Sequence, residues 1–131
     1  MTITAVCHCG ATHIEFDVLP TSAKTCNCSF CRRAGAVWAY FEPETLRVIA
    51  AENRVYSSGG LNEHYFCGRC GCNTHGSAPD WSSAYDDNGK LKPGMAEPPP
   101  EQRLASVNLN MVDDLDLSRV TITAVNGRDN W

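Results

Sequence analysis

The chain of 131 residues carries 15 acidic and 11 basic side chains, a net charge of −4, and 8 cysteines. That length fits one domain whose core is adequate but not generous, so bound metals or cross-links have room to matter. The acidic balance argues against a basic nucleic-acid or membrane-surface binder, and the longest small or apolar run, Ala34 to Phe41, is far too short to span a bilayer.

In chain order, Cys7-His8-Cys9-Gly10 comes first, and Thr12 to Val18 then alternates, with Ile14, Phe16 and Val18 on one face and His13, Glu15 and Asp17 on the other. Cys26-Asn27-Cys28-Ser29-Phe30-Cys31 follows, with a helical turn or two expected around Ser29 to Gly35. Val37 to Phe41 is aromatic-rich and predicts a strand, and Leu46, Val48 and Ala50 keep a period of two. Val55-Tyr56 and Glu63 to Phe66 flank the turn signal Ser57-Ser58-Gly59-Gly60. Next comes Cys67-Gly68-Arg69-Cys70-Gly71-Cys72. The stretch 76–103 holds most of the prolines and little periodicity, and predicts a long loop. Leu104 to Val112 and Arg119 to Val125 are the last strand candidates, the second with Val120, Ile122 and Ala124 on one face. Asp113, Asp114 and Asp116 read as the turn between them. The expected fold is mainly β: several small antiparallel sheets, with little helix.

The cysteines carry the chemistry. No basic start or apolar core of a signal peptide opens the chain, so a cytoplasmic protein is expected, and that compartment keeps thiols reduced. Neighbours within a cluster are too close to pair easily, whereas thiolates from two clusters can converge on zinc, which favours sulfur and needs no redox change. A disulfide framework remains the alternative for a secreted form. Cys67-x-x-Cys70-Gly71 has the form of a zinc knuckle, with Gly71 supplying a positive φ, and Cys7 and Cys9 can complete a closed structural site. Cys26, Cys28 and Cys31 supply three thiolates and leave a fourth position vacant, the arrangement of a catalytic zinc. Three thiolates leave the ion with net charge −1, a weak Lewis acid that suits a soft thiol substrate better than hydrolysis. Arg32 and Arg33 are candidates for binding the carboxylates of such a thiol, or are solvated turn residues.

The order Cys-x-Cys-Gly, Cys-x-Cys-x-x-Cys-Arg-Arg, Phe-Cys-x-x-Cys-Gly resembles the glutathione-dependent formaldehyde-activating family, which is similar in fold to the Mss-four-like zinc proteins. Trp38 to Pro43, Val107 to Asp114 and the closing Asn130-Trp131 continue the resemblance, which covers most of the chain outside 76–103. It implies structural zinc on Cys7, Cys9, Cys67 and Cys70 and catalytic zinc on Cys26, Cys28 and Cys31, two ions per chain. The implied reaction, of carbon–sulfur lyase type, joins glutathione to formaldehyde as S-hydroxymethylglutathione. A zinc-stabilised binding module without turnover is the alternative. Where the family usually has Thr or Ser, this chain has Cys72, an additional candidate ligand that could close the middle site.

The remaining candidates have bland readings. His8, His13, His64 and His75 sit in no ligand motif and are read as structural or surface residues, with His75 the first to test. Trp38, Trp81 and Trp131 are read as packing residues, although Trp81 in the long loop could cover a site. The expected partners are a small thiol and a small aldehyde, with no nucleic acid or membrane. Oligomeric state is open, a homodimer among the options.

Overall fold

The computed structural model describes residues 1–95 and 100–130. Trp131 and the prolines Pro98 and Pro99 of the predicted loop lie outside the described residues. The fold is mainly β, with ten strands in two sheets among the described residues. β1 (Ile3–Val6), β2 (Thr12–Phe16) and β5 (Arg47–Ala50) form a three-stranded antiparallel sheet in the order β1-β2-β5. The larger sheet comprises β3 (Ser22–Cys26), β4 (Trp38–Phe41), β6 (Asn53–Ser58), β7 (Asn62–Cys67), β8 (Asn73–Pro79), β9 (Arg103–Asn108) and β10 (Thr121–Val125). Its order is β10-β3-β4-β9-β8-β7-β6, and all its pairings are antiparallel except β10 with β3, which is parallel.

Alternation builds the core where expected. Thr12, Ile14 and Phe16 of β2 are buried and His13 is exposed. Phe16 meets Phe41 with ring centroids 4.9 Å apart, and Ala5, Ile14 and Val107 complete that cluster between the two sheets. Burying a side chain such as Phe16 contributes about 1.5–3 kcal/mol. A second cluster joins Ala23, Ala39, Leu109 and Val120.

Several strand boundaries differ from expectation. β2 stops at Phe16, and Val18 is left 74% exposed. β9 ends at Asn108, whose side chain accepts from the Asn110 N–H and turns the chain into a 3-10 turn. β10 begins after the buried Val120. As an edge strand it leaves Ile122 and Ala124 exposed. The expected loop at 76–103 is shorter, because β8 runs to Pro79 in register with Arg103. Among the described residues the excursion is hydrogen-bonded: the Asp80 N–H donates to Gln102 O and the Lys92 N–H to Ala84 O.

Register fixes which side chains share a face, because directly paired residues point the same way. One row crosses the large sheet through Tyr56, His64, Gly76, Ser106 and Tyr40. Trp38, two residues before Tyr40, pairs with Lys24 on the same face. The other face holds Ala39, Val107 and His75 and packs into the core.

α1 (Ser29–Ala34) has six residues, too few to stand alone, and its ends are held. Cys28 caps its start by accepting the Cys31 N–H, and Gly35 closes it with φ 61° and an N–H bond to Cys31 O. Phe30 of α1 stacks on His64 at 3.7 Å and lies 6.0 Å from Tyr56, so the helix sits on the face that carries Trp38. α2 (Gly127–Asn130) closes the described chain.

Candidate active site and metal centres

Two groups of thiols are brought together. Cys7, Cys9, Cys67 and Cys70 have sulfurs within 4.8 Å of one another, as do Cys26, Cys28 and Cys31. All eight cysteines are free thiols.

In the first group the turns of two loops face each other. The Gly10 N–H bonds Cys7 O at 3.0 Å and the Gly71 N–H bonds Cys67 O at 2.8 Å. Both glycines have positive φ, 84° and 82°, a backbone shape that a side chain would strain. Backbone N–H groups point at the sulfurs, Thr12 to Cys7 at 3.3 Å and Arg69 to Cys67 at 3.4 Å. Cys9 lies 3.7 Å from Cys7 and 3.6 Å from Cys67, sulfur to sulfur. N–H groups of Cys72 and Cys9 hold the Cys70 thiol down at about 5. Four converging sulfurs, with amides aimed at them and Cys7 and Cys67 buried, suit a tetrathiolate ion such as zinc.

The second group lies where β3 runs into α1. The Cys28 N–H donates to Cys26 sulfur at 3.4 Å and the Cys31 N–H to Cys28 sulfur at 3.3 Å. Burial pushes the Cys31 thiol up to about 12, with the Cys28 thiol adding to it and the Trp38 indole opposing. At Cys28 burial raises the thiol pKa, but the Cys31 and Phe30 amides and the neighbouring thiols outweigh it, and the net shift is down. These three donors also fit a soft divalent ion, with no fourth protein ligand among the described residues.

Cys72 does not join this group. Its thiol neighbours Cys70 and the His8 N–H, on the side of the four-cysteine group.

The two arginines separate. Arg33 turns back on its own helix, Nη1 donating to Ser29 O at 2.9 Å. Arg32 has no such bond among the described residues and lines a surface hollow of about 330 Å³ with Cys26, Asn27 and Asn126. Asn27 Nδ2 donates to Asn126 Oδ1 at 3.0 Å, and the Asn27 N–H donates to Val125 O, which fastens the start of the cysteine loop to β10. A larger groove, about 850 Å³, runs beside Asp17 to Lys24 and reaches Tyr40 but contains no cysteine.

His75 is buried on the core face, stacked on Tyr65 at 4.6 Å, with Nδ1 at 2.9 Å from Thr74 Oγ1. Burial holds its pKa down at about 4. His8 and His13 are exposed. His64 and Tyr40 escaped sequence reasoning as site residues. Half-buried His64 stacks on the ring between Cys28 and Cys31, and burial depresses its pKa. Tyr40 is 50% exposed, and its phenol is raised to about 12, first by burial and then by Cys31, Cys26 and Cys28. Only strand register places these two beside the cysteine loop; a motif cannot. Trp81 docks on β7, its Nε1 donating to Asn62 Oδ1 at 3.0 Å.

A profile of the family described as glutathione-dependent formaldehyde-activating enzyme matches residues 2–108, which include every cysteine above. The chain belongs to that family. Its membership points to glutathione and formaldehyde as the family's reactants. Among curated proteins none matches. The crystal structure of a Rhodobacter sphaeroides protein, a structural-genomics target, is similar at 29% identity and a TM-score of 0.65, covering 92% of this chain and 100% of that one. β10 and α2 of this family member lie beyond the matched residues, although β10 borders the three-cysteine loop.

Proposed function

We propose that this chain is a zinc-dependent carbon–sulfur lyase-type enzyme that joins glutathione, or a similar small thiol, to formaldehyde or another small aldehyde. The observation that carries the reading is the contrast between the two thiol groups: four converging sulfurs in one and three in the other. The four-cysteine group is the structural site and the three-cysteine group the reactive one, in a single domain with two zinc ions. The family membership supports the choice of reactants.

Cys26, Cys28 and Cys31 would hold a zinc ion, which would supply a soft Lewis-acid position able to take a thiol as thiolate. The protein's own groups do the rest. The Cys28 and Cys31 amides, donating to the Cys26 and Cys28 sulfurs, temper the negative charge of the ligand set. The Trp38 indole does the same at Cys31. Arg32, beside Cys26, meets a carboxylate of the thiol substrate. Thiols add to formaldehyde readily without help, so the protein contributes chiefly by holding sulfur and carbonyl carbon in reach. A cytoplasmic location suits a glutathione-dependent reaction and reduced thiols.

The test is cobalt substitution. Cobalt held by thiolates absorbs strongly, and four-sulfur and three-sulfur sites differ in their spectra. Glutathione should alter the spectrum of one cobalt of two, and Cys28→Ser should abolish that change. A spectrum indifferent to glutathione at both sites would leave a zinc-stabilised binding module instead.

A further inference from the structure

Two depressions meet just before Cys26, and they differ in size and charge. The hollow of about 330 Å³ holds Arg32 beside Cys26, with no acidic residue in its lining. The groove of about 850 Å³ presents Lys24 together with Glu42 and Glu44, and its other cation, Arg47, is taken by Asp17 through two hydrogen bonds. The two abut along the paired strands β3 and β10, where Thr25 and Ala124 line the hollow and Lys24 and Thr123 the groove.

Alternation puts Lys24 and Cys26 on one face of β3, while Ala23 points into the core. Two residues of strand separate their Cα atoms by about 7 Å. Lys24 also pairs directly with Trp38, whose ring centroid lies 6.4 Å from that of His64, the seat of Phe30. The lysine thus belongs to the surface on which α1 and its thiols rest. Its amine is held at 2.8 Å by Asp87, an acid from the long excursion. Asp87 sits in a tight turn: Asp86 Oδ1 accepts the Asn88 and Lys90 N–H groups, and a side chain at Gly89 would run into Asn130 O of α2. Asn126, just before α2, bonds Asn27 beside Cys26. The turn therefore lodges between Lys24 and the segment that fastens the cysteine loop. The lysine and aspartate side chains are 36% and 68% exposed, so the pair is weak enough for another carboxylate to displace it.

We propose that Lys24 is the carboxylate anchor for the γ-glutamyl arm of the thiol substrate, and that Asp87 occupies it until substrate arrives. The inference rests on the thiol–aldehyde reading above. Glutathione carries its sulfur on the central residue, between a glycyl arm that ends in a lone carboxylate and a longer γ-glutamyl arm that ends in a carboxylate and an ammonium. The lone carboxylate suits the small hollow at Arg32. The longer, zwitterionic arm suits the larger groove, where Lys24 meets its carboxylate and Glu42 and Glu44 offer the opposite sign to its ammonium. Binding exchanges one ion pair for another, Lys24 with Asp87 for Lys24 with substrate, and no covalent bond changes.

The test titrates glutathione, γ-glutamylcysteine and cysteinylglycine into the cobalt-loaded parent, Lys24→Gln, Asp87→Asn and the double variant at low salt, reading affinity from the spectrum. Lys24→Gln should weaken glutathione and γ-glutamylcysteine about three- to tenfold and leave cysteinylglycine within about twofold. Asp87→Asn should tighten the first two about two- to fivefold, because the internal competitor is gone, and should gain nothing in the double variant. Unchanged affinities in Lys24→Gln, with a parent that responds to glutathione, would overturn the anchor and leave the proposed reaction standing. An equal loss for cysteinylglycine would overturn the assignment to the γ-glutamyl arm. Unaltered or weaker binding in Asp87→Asn would overturn the competition. A parent whose spectrum ignores all three thiols would overturn the reaction and the anchor together.

Discussion

Phe30 should set the metal affinity of the three-cysteine group without touching that of the other. It lies between two of the three ligands, on a six-residue helix that could not hold its shape alone. What seats it is the His64 ring at 3.7 Å. A fully buried Phe→Ala change costs about 3–5 kcal/mol, and Phe30 is half-buried, so about 2 kcal/mol is the packing share. Loss of the stacked partner adds about 0.5–1 kcal/mol. If this falls on the docked helix, Phe30→Ala weakens the three-thiol site by about 60- to 140-fold at about 1.4 kcal/mol per factor of ten. Chelator competition followed by mass spectrometry resolves loss of the first and second zinc. The variant should release one zinc at much lower chelator concentration and the other as in the parent. A parallel shift of both steps, or of neither, would refute the idea that His64 and Phe30 hold this loop in place.

Other consequences are as specific. Cys7→Ser or Cys67→Ser should lower the melting temperature far more than Cys28→Ser, because metal binding at the four-cysteine site is folding free energy; equal losses would dissolve the division of roles. Arg32→Ala should raise the glutathione concentration for half-saturation about three- to tenfold at low salt, whereas Arg33→Ala, already bonded to Ser29 O, should leave it within about twofold; the cobalt titration decides. Burial keeps His75 neutral, so its folded pKa of about 4 lies below the ordinary 6.5 and the folded state binds fewer protons than the unfolded. The stability this confers is complete above pH 6.5 and falls as pH drops toward 4, by up to about 3 kcal/mol. Denaturant titrations of parent and His75→Leu at several pH values should converge toward pH 4; a constant gap would refute it.

The cysteine spacings made both thiol groups legible before any fold was known, because thiols gathered at one turn recur at short, fixed spacings. Strands with strict alternation, such as Thr12 to Phe16, were legible for a similar reason: burial of one face leaves a period of two. β3 and β8 were not. Ser22 to Cys26 and Asn73 to Pro79 are short, polar or glycine-bearing, and each gains its order from two flanking strands. Register is the part that sequence hides most completely. Tyr40, His64, Gly76 and Ser106 are distant along the chain and resemble no motif, yet pairing sets them in one row. His75 drew attention by its place near the knuckle, but one step of alternation turns it into the core.

That same register ties the two thiol groups together. β7 ends in Cys67 of the four-cysteine group and carries His64, the seat of Phe30, three residues earlier. A strand advances about 3.3 Å per residue, so Cys67 and the seat of the three-cysteine loop are about 10 Å apart on one element. The four-cysteine group pins the end of β7 to the N-terminal loop at Cys7 and Cys9. The edge strand β6 adds only exposed backbone and Tyr56 on the far side. His64 is held by its pairs to Tyr56 on β6 and Gly76 on β8, and the gathered thiols of Cys67 and Cys70 add an anchor to the same strand. One strand thus carries ligands of the four-thiol group at its end and the seat of the three-thiol loop, so the two groups are set at a fixed spacing.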